Sequence, residues 1–132
     1  MPENTKPESK AANITLWILQ VLAAVAFLAA GSAKLTGQPM MVQTFAKIGI
    51  GQWFRYLTGG IEVISAILML IPRTVPIGAG LLVATMVGAV TTHLLIIGGN
   101  PAPPAVLLLI VAIIALGRRG RLAGLLPAAS LS

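Results

Sequence analysis

Any chemistry in this sequence turns on Glu62. It is the sole acidic residue beyond the first ten positions, and it stands inside the apolar run Gly59-Gly60-Ile61-Glu62-Val63-Ile64-Ser65-Ala66-Ile67-Leu68-Met69-Leu70-Ile71-Pro72. A carboxylate in hydrocarbon is costly, about 2.5–3.5 kcal/mol for Asp near a helix centre on insertion scales. Glu62 must therefore face protein, water or a cation. Lys34 closes the preceding apolar run, Arg55 lies seven residues before Glu62 on nearly the same helical face, and His93 belongs to a later run. A carboxylate, an ammonium and an imidazole at similar depth could form one polar pocket. Glu62 and His93 would equally suit a proton relay. Phe27 and Met69 are the apolar residues expected to line such a pocket.

Each group also has a plainer use. A lysine near a helix end snorkels to the headgroups, a single histidine on a small-residue face bonds helix to helix, and Glu62 paired with Lys34 or Arg55 would fix helix register. Convergence favours a shared pocket. At 1.5 Å per residue Glu62 lies about 12 Å below the start of its run and His93 about 6 Å below the end of its own, so Lys34, Glu62 and His93 share one half of the membrane. No catalytic residue is assigned, and no metal site or covalently bound cofactor is expected.

Composition says what positions these groups. The 132 residues are 57% hydrophobic and 9% charged, with a mean hydropathy of +0.95. A soluble domain carries about a quarter charged residues; this chain cannot cover a water-facing surface. The net charge of +6 does not point to nucleic acid, because the basic residues are scattered singly apart from Arg118, Arg119 and Arg121, with no binding motif between them. The absence of cysteine excludes CxxC redox chemistry, thiolate metal sites and disulfides, and one histidine cannot supply a His-rich metal or haem site.

The runs define an all-α fold: a membrane four-helix bundle with a short amphipathic helix between spans one and two. A polar cytoplasmic tail at 1–13 precedes a transmembrane domain at 14–117, and a basic cytoplasmic tail follows at 118–132. The first span covers about 14–35. Gly31-Ser32-Ala33 has the look of a signal-peptidase site, but the run is longer than an h-region and more spans follow, so the segment is expected to be retained. On this span Gln20, Ala24, Phe27, Gly31 and Lys34 form an inward seam. In the connector, Pro39 suits a first helical turn and Gly49 a stop; Met41, Val42, Phe45 and Ile48 share the apolar face. Trp53 and Tyr56 mark the interface. The second span covers about 54–71, and a tight turn at 72–76 makes its successor, about 77–97, an antiparallel neighbour. Gly80, Ala84, Gly88 and Thr92 form a small-residue ridge on the third span, expected to pack against Ala23, Ala26 and Ala30 of the first. Pro103 and Pro104 fit only the first turn of the fourth span, about 102–116. Lys6, Lys10, Arg73, Arg118, Arg119 and Arg121 would share one side, against Lys34, Lys47 and Arg55 on the other, which favours both termini in the cytoplasm.

The chain resembles the DoxX-like membrane proteins. The resemblance rests on Phe27-Leu28-Ala29-Ala30-Gly31-Ser32-Ala33-Lys34-Leu35, on Phe45 and Gly49, on Gly59-Gly60-Ile61-Glu62 with the apolar run to Pro72, and on the stretch from Met86 to His93. It covers roughly residues 14 to 117. It implies four helices, a cytoplasmic-membrane location, and polar positions at Lys34, Glu62 and His93. Relatives resemble small subunits of thiosulfate:quinone oxidoreductase or of membrane complexes handling thiol or oxidative stress. The expected function is thus a small subunit of a quinone-linked or stress-related membrane redox complex, with quinone as the cofactor. The lipid bilayer, other redox subunits or further copies of the chain are the expected partners, and nucleic acid is not. A small-solute or proton transporter and a non-catalytic membrane assembly protein are the alternatives.

Overall fold

The computed structural model describes residues 9–125. Helix α1 runs from Lys10 to Thr36, with the Ser9 hydroxyl accepting from the Ala12 amide at its start and Gly37 (φ 72°) at its end. The short α2 (Pro39–Ile48) carries proline in its first turn and stops at Gly49, φ 87°. Helix α3 spans Trp53–Leu70. A turn tied by the Thr74 hydroxyl to the Leu68 carbonyl at 2.8 Å leads into α4 (Val75–Thr92). Helix α4 passes without a break into a π-turn, His93–Ile97, and α5 covers Ala102–Arg118. A 3-10 segment, Arg119–Leu125, follows.

The five α-helices and their order are those expected, with boundaries moved by a few residues; the π-turn and the 3-10 segment were not expected. Among the described residues, three helices are long and apolar enough to cross a membrane: Lys10–Thr36, Trp53–Leu70 and Val75–Ile97. With 17 residues α5 is shorter, reaching about 25 Å at 1.5 Å per residue, near the lower limit for a span. Neighbouring pairs are α1–α3, α3–α4, α4–α5 and α5–α1. The helices therefore form a closed square, with α1 and α4 on one diagonal. The core at its centre contains Ala24, Phe27, Ala66, Met69, Leu82 and Ile114. Outward faces are apolar as well: Ile18, Leu22, Val25, Ile64, Leu109 and Ile113 are exposed. Burying that surface in a bilayer leaves it in apolar surroundings, whereas water would not tolerate so continuous a patch.

This arrangement corrects the expectation for the small-residue ridge. Gly80, Ala84 and Gly88 are exposed, and a Cβ added at Gly80 or Gly88 would meet nothing within 4 Å. A ridge on α4 cannot reach a helix lying diagonally opposite. The close approaches lie elsewhere. A Cβ at Gly78 would come within 2.5 Å of the Ser65 carbonyl, at the α3–α4 contact. At the α1–α3 contact, a Cβ on Gly31 would fall 2.8 Å from the Gly59 carbonyl, and one on Gly59 would fall 2.9 Å from that of Gly31.

Candidate functional site

The Gly31–Gly59 contact brings together the helix segments that carry the charged pair. One helical turn beyond each glycine, Lys34 of α1 and Glu62 of α3 meet with Nζ 2.8 Å from Oε1. Glu62 is 1% exposed. This buried oxygen is thus paired by charge with the ammonium beside it. Such a pair offsets the cost of a membrane carboxylate that neither helix could carry alone.

Arg55 is not the cation of Glu62. Its Nε donates to Gln52 Oε1 at 2.7 Å, its Nη1 donates to the Lys34 carbonyl, and its guanidinium lies 4.4 Å from the Tyr56 ring centre. The last carbonyls of α1 lack partners within their own helix and carry the negative end of its dipole. They claim Arg55 before Glu62, two helical turns further along α3, can do so. Arg55 thereby holds the end of α1 in place behind Lys34.

Beside the ion pair opens a cavity of about 720 Å³. Its floor and walls come from α1, α3, α4, the π-turn and α5, and α2 roofs it with Met41, Phe45 and Ile48. The apolar face expected for the connector is thus turned onto the bundle. Lys34, Glu62 and His93 all line this space. No hydrogen bond or ion pair joins His93 to Glu62 among the described residues; instead His93 Nδ1 lies 2.9 Å from the Ala89 carbonyl. The π-turn begins at His93 itself, and such turns are frequent at functional sites. The ridge residues Ala84, Gly88 and Thr92 also face the cavity. Their small size makes room for something other than a helix.

Phe27 and Met69 are not part of the lining. Both are fully buried in the central core, because the seam that carries them points to the bundle axis and the cavity lies off that axis.

A second polar cluster, at the end of the bundle that holds the start of α1, was not expected. Arg118 is 0% exposed and points inward from the last turn of α5. Its Nε donates to Gln20 Oε1 at 2.7 Å and its Nη1 to Asn13 Oδ1 at 2.8 Å. Gln20 in turn donates to the Met69 carbonyl at 3.0 Å. Three helices are joined by this chain of bonds. The signal was present in the sequence: Val111, Ile114 and Arg118 recur at the spacing of one helical face, and all three are fully buried.

No curated protein and no solved structure matches the chain. A model described as DoxX-like family matches residues 18–116, which takes in the Gly31–Gly59 contact, the Lys34–Glu62 pair, His93 and every helix that walls the cavity. The chain belongs to the DoxX-like family of membrane proteins.

Proposed function

We propose that the chain is a small subunit of a membrane redox complex and that its cavity holds the head group of a quinone. The observation that carries this reading is the roofed, largely apolar space of about 720 Å³ with a buried ion pair and a histidine on its wall. Small-molecule sites are commonly about 300–1,000 Å³, apolar, with a few convergent polar groups. The donor set fits a quinone: the Lys34 ammonium can donate to a carbonyl, and Glu62 and His93 can accept or pass protons. A bound quinone supplies two-electron, two-proton exchange. This chain's residues bind the ring, orient it by its polar atoms and, through α2, exclude water.

The electrons are exchanged with a partner subunit, because the chain has no cysteine and a single histidine with which to hold a redox centre of its own. The same reading puts the complex in the cytoplasmic membrane with both termini inside. Lys10, Arg73 and Arg119 are exposed at that end, whereas Lys34 and Arg55 at the other end are engaged within the protein and leave Lys47 exposed. Purification in mild detergent, followed by mass spectrometry of solvent extracts and of copurifying proteins, tests the proposal. Near-stoichiometric quinone with a redox subunit is expected; an empty extract with no such partner would overturn it.

A further inference from the structure

The polar groups around the cavity divide unequally into donors and acceptors. Thr44, Thr58, Thr85 and Thr92 each spend the hydroxyl proton on the carbonyl four residues back in their own helix, at 2.8, 2.8, 2.8 and 2.7 Å. What these threonines turn to a ligand is lone pairs. His93 follows the same rule. The Ala89 carbonyl 2.9 Å from Nδ1 can only accept, so Nδ1 carries the proton, and in the neutral ring Nε2 is left as an acceptor. Glu62, a carboxylate among the lining residues, offers acceptors only. On the donor side stand the Lys34 ammonium, already 2.8 Å from Glu62, and at the rim the amide of Asn100, whose oxygen is taken by the Ala102 amide at 3.0 Å.

From this census we infer that the cavity selects ligands carrying hydroxyl donors, and thus binds the hydroquinone form of an aromatic carrier more tightly than the quinone form. The inference rests on the quinone reading and deepens it. A hydroxyl at the ion pair accepts from Lys34 and donates to Glu62 at once, while a carbonyl at the same place satisfies Lys34 alone. A second hydroxyl can donate to His93 or to a threonine oxygen, whereas a second carbonyl would meet acceptors. Burying a polar group without a partner is disfavoured strongly enough to discriminate between otherwise similar ligands. The oxidised and reduced forms of one ring differ in little else that the apolar wall can sense.

The test is anaerobic titration of the purified chain in nanodiscs with tetramethyl-1,4-benzoquinone and, separately, with its hydroquinone. The hydroquinone is expected to bind about tenfold or more tightly, with the gap narrowing in His93→Ala and in Thr92→Val. Nitrogen NMR of labelled histidine gives a readout that needs no variant: Nδ1 protonated, Nε2 unprotonated, and Nε2 shifting on addition of the hydroquinone. Equal or tighter binding of the quinone, or an unprotonated Nδ1, would overturn the donor selectivity while leaving the quinone site standing. Binding of neither form would overturn the quinone reading and this inference with it.

Discussion

Gly31 and Gly59 lie backbone to backbone, and each stands three residues before one member of the Lys34–Glu62 ion pair. The two short patterns, glycine-x-x-lysine and glycine-x-x-glutamate, are therefore halves of one device. The glycines set the distance between α1 and α3, and one turn later that distance becomes an ammonium-to-carboxylate contact. Either pattern is unremarkable as a string. Together they describe a helix crossing with a charge pair at a fixed offset.

Gly31→Ala and Gly59→Ala should each destabilise the bundle by roughly 1–3 kcal/mol, since the added methyl meets a facing backbone carbonyl as well as side-chain atoms. A Cβ at Gly31 also falls 2.7 Å from Val63 Cγ2. Gly80→Ala, with nothing within 4 Å, should not destabilise and should gain roughly 0.5–1 kcal/mol from the helix preference of alanine. Unfolding in a denaturing-detergent titration compares all three. Equal stability of the three variants would mean that the crossing does not set the helix spacing.

The ion pair itself should respond asymmetrically. Glu62→Leu leaves the Lys34 ammonium beside an apolar wall, and breaking a buried pair in this way costs about 3–5 kcal/mol. Glu62→Gln keeps a hydrogen-bonding group and should be much milder. The double variant Lys34→Met with Glu62→Leu should recover most of the loss. If the double variant is no more stable than Glu62→Leu alone, the loss does not come from a stranded cation.

Much of this was legible in the sequence, and the parts that were not share a physical cause. Periodicity says which residues share a helical face. It put Gln20, Ala24, Phe27 and Gly31 on one seam of α1, and all four are buried. It does not say what that face meets. The Gly80–Thr92 ridge read as a helix contact because small residues permit close approach, yet they also permit an open space, and only the diagonal placement of α4 decides between the two. Arg55 read as a partner for Glu62 because both are on one helix face; the competing acceptor, a carbonyl at the end of α1, has no signature in a side-chain pattern. Arg118 was grouped with Arg119 and Arg121 by type, although its register with Ile114 and Val111 sets it apart.

Arg118→Ala should therefore destabilise the protein while Arg119→Ala, at an exposed position, should not. Removing the guanidinium leaves Gln20 Oε1 and Asn13 Oδ1 without the donors they now have, at roughly 1–3 kcal/mol for each group that stays buried and unsatisfied. Arg118→Lys should rescue poorly, because an ammonium cannot reproduce a planar fork that serves separate acceptors. Thermal unfolding of the three variants in detergent distinguishes these outcomes, and a fully stable Arg118→Lys would show that charge alone suffices.

If α1, α3, α4 and α5 each cross the membrane, the start of α1 and the end of α5 lie on one side and the loop at Asn100 on the other. The exposed basic residues favour the cytoplasm for the former. Reporter fusions after Ser132 and within the loop at Asn100 should report opposite compartments, with Ser132 inside. The same compartment for both would mean that α5, the shortest of the four, does not cross.

The sharpest prediction concerns Gly88, where two readings of one residue give opposite results. If the α4 ridge packed against a helix, a large side chain there would disrupt folding. In this structure a Cβ at Gly88 meets nothing within 4 Å, and the position lines the cavity. Gly88→Phe should thus fold with nearly unchanged stability, helped slightly because glycine in a helix interior costs roughly 0.5–1 kcal/mol relative to alanine. The ring would occupy the space assigned to the ligand, so retention of quinone through purification, and binding of added tetramethylhydroquinone, should both be lost. Gly80→Phe supplies the control: it lies on the same ridge with the same open surroundings but is not part of the cavity lining, and it should retain both. Loss of binding in Gly88→Phe alone, with unfolding midpoints matched across the pair, would locate the ligand beneath α2. Loss of folding in Gly88→Phe would instead show that the ridge is a packing surface. Undiminished binding by a well-folded Gly88→Phe would mean that the ligand occupies some other part of the molecule.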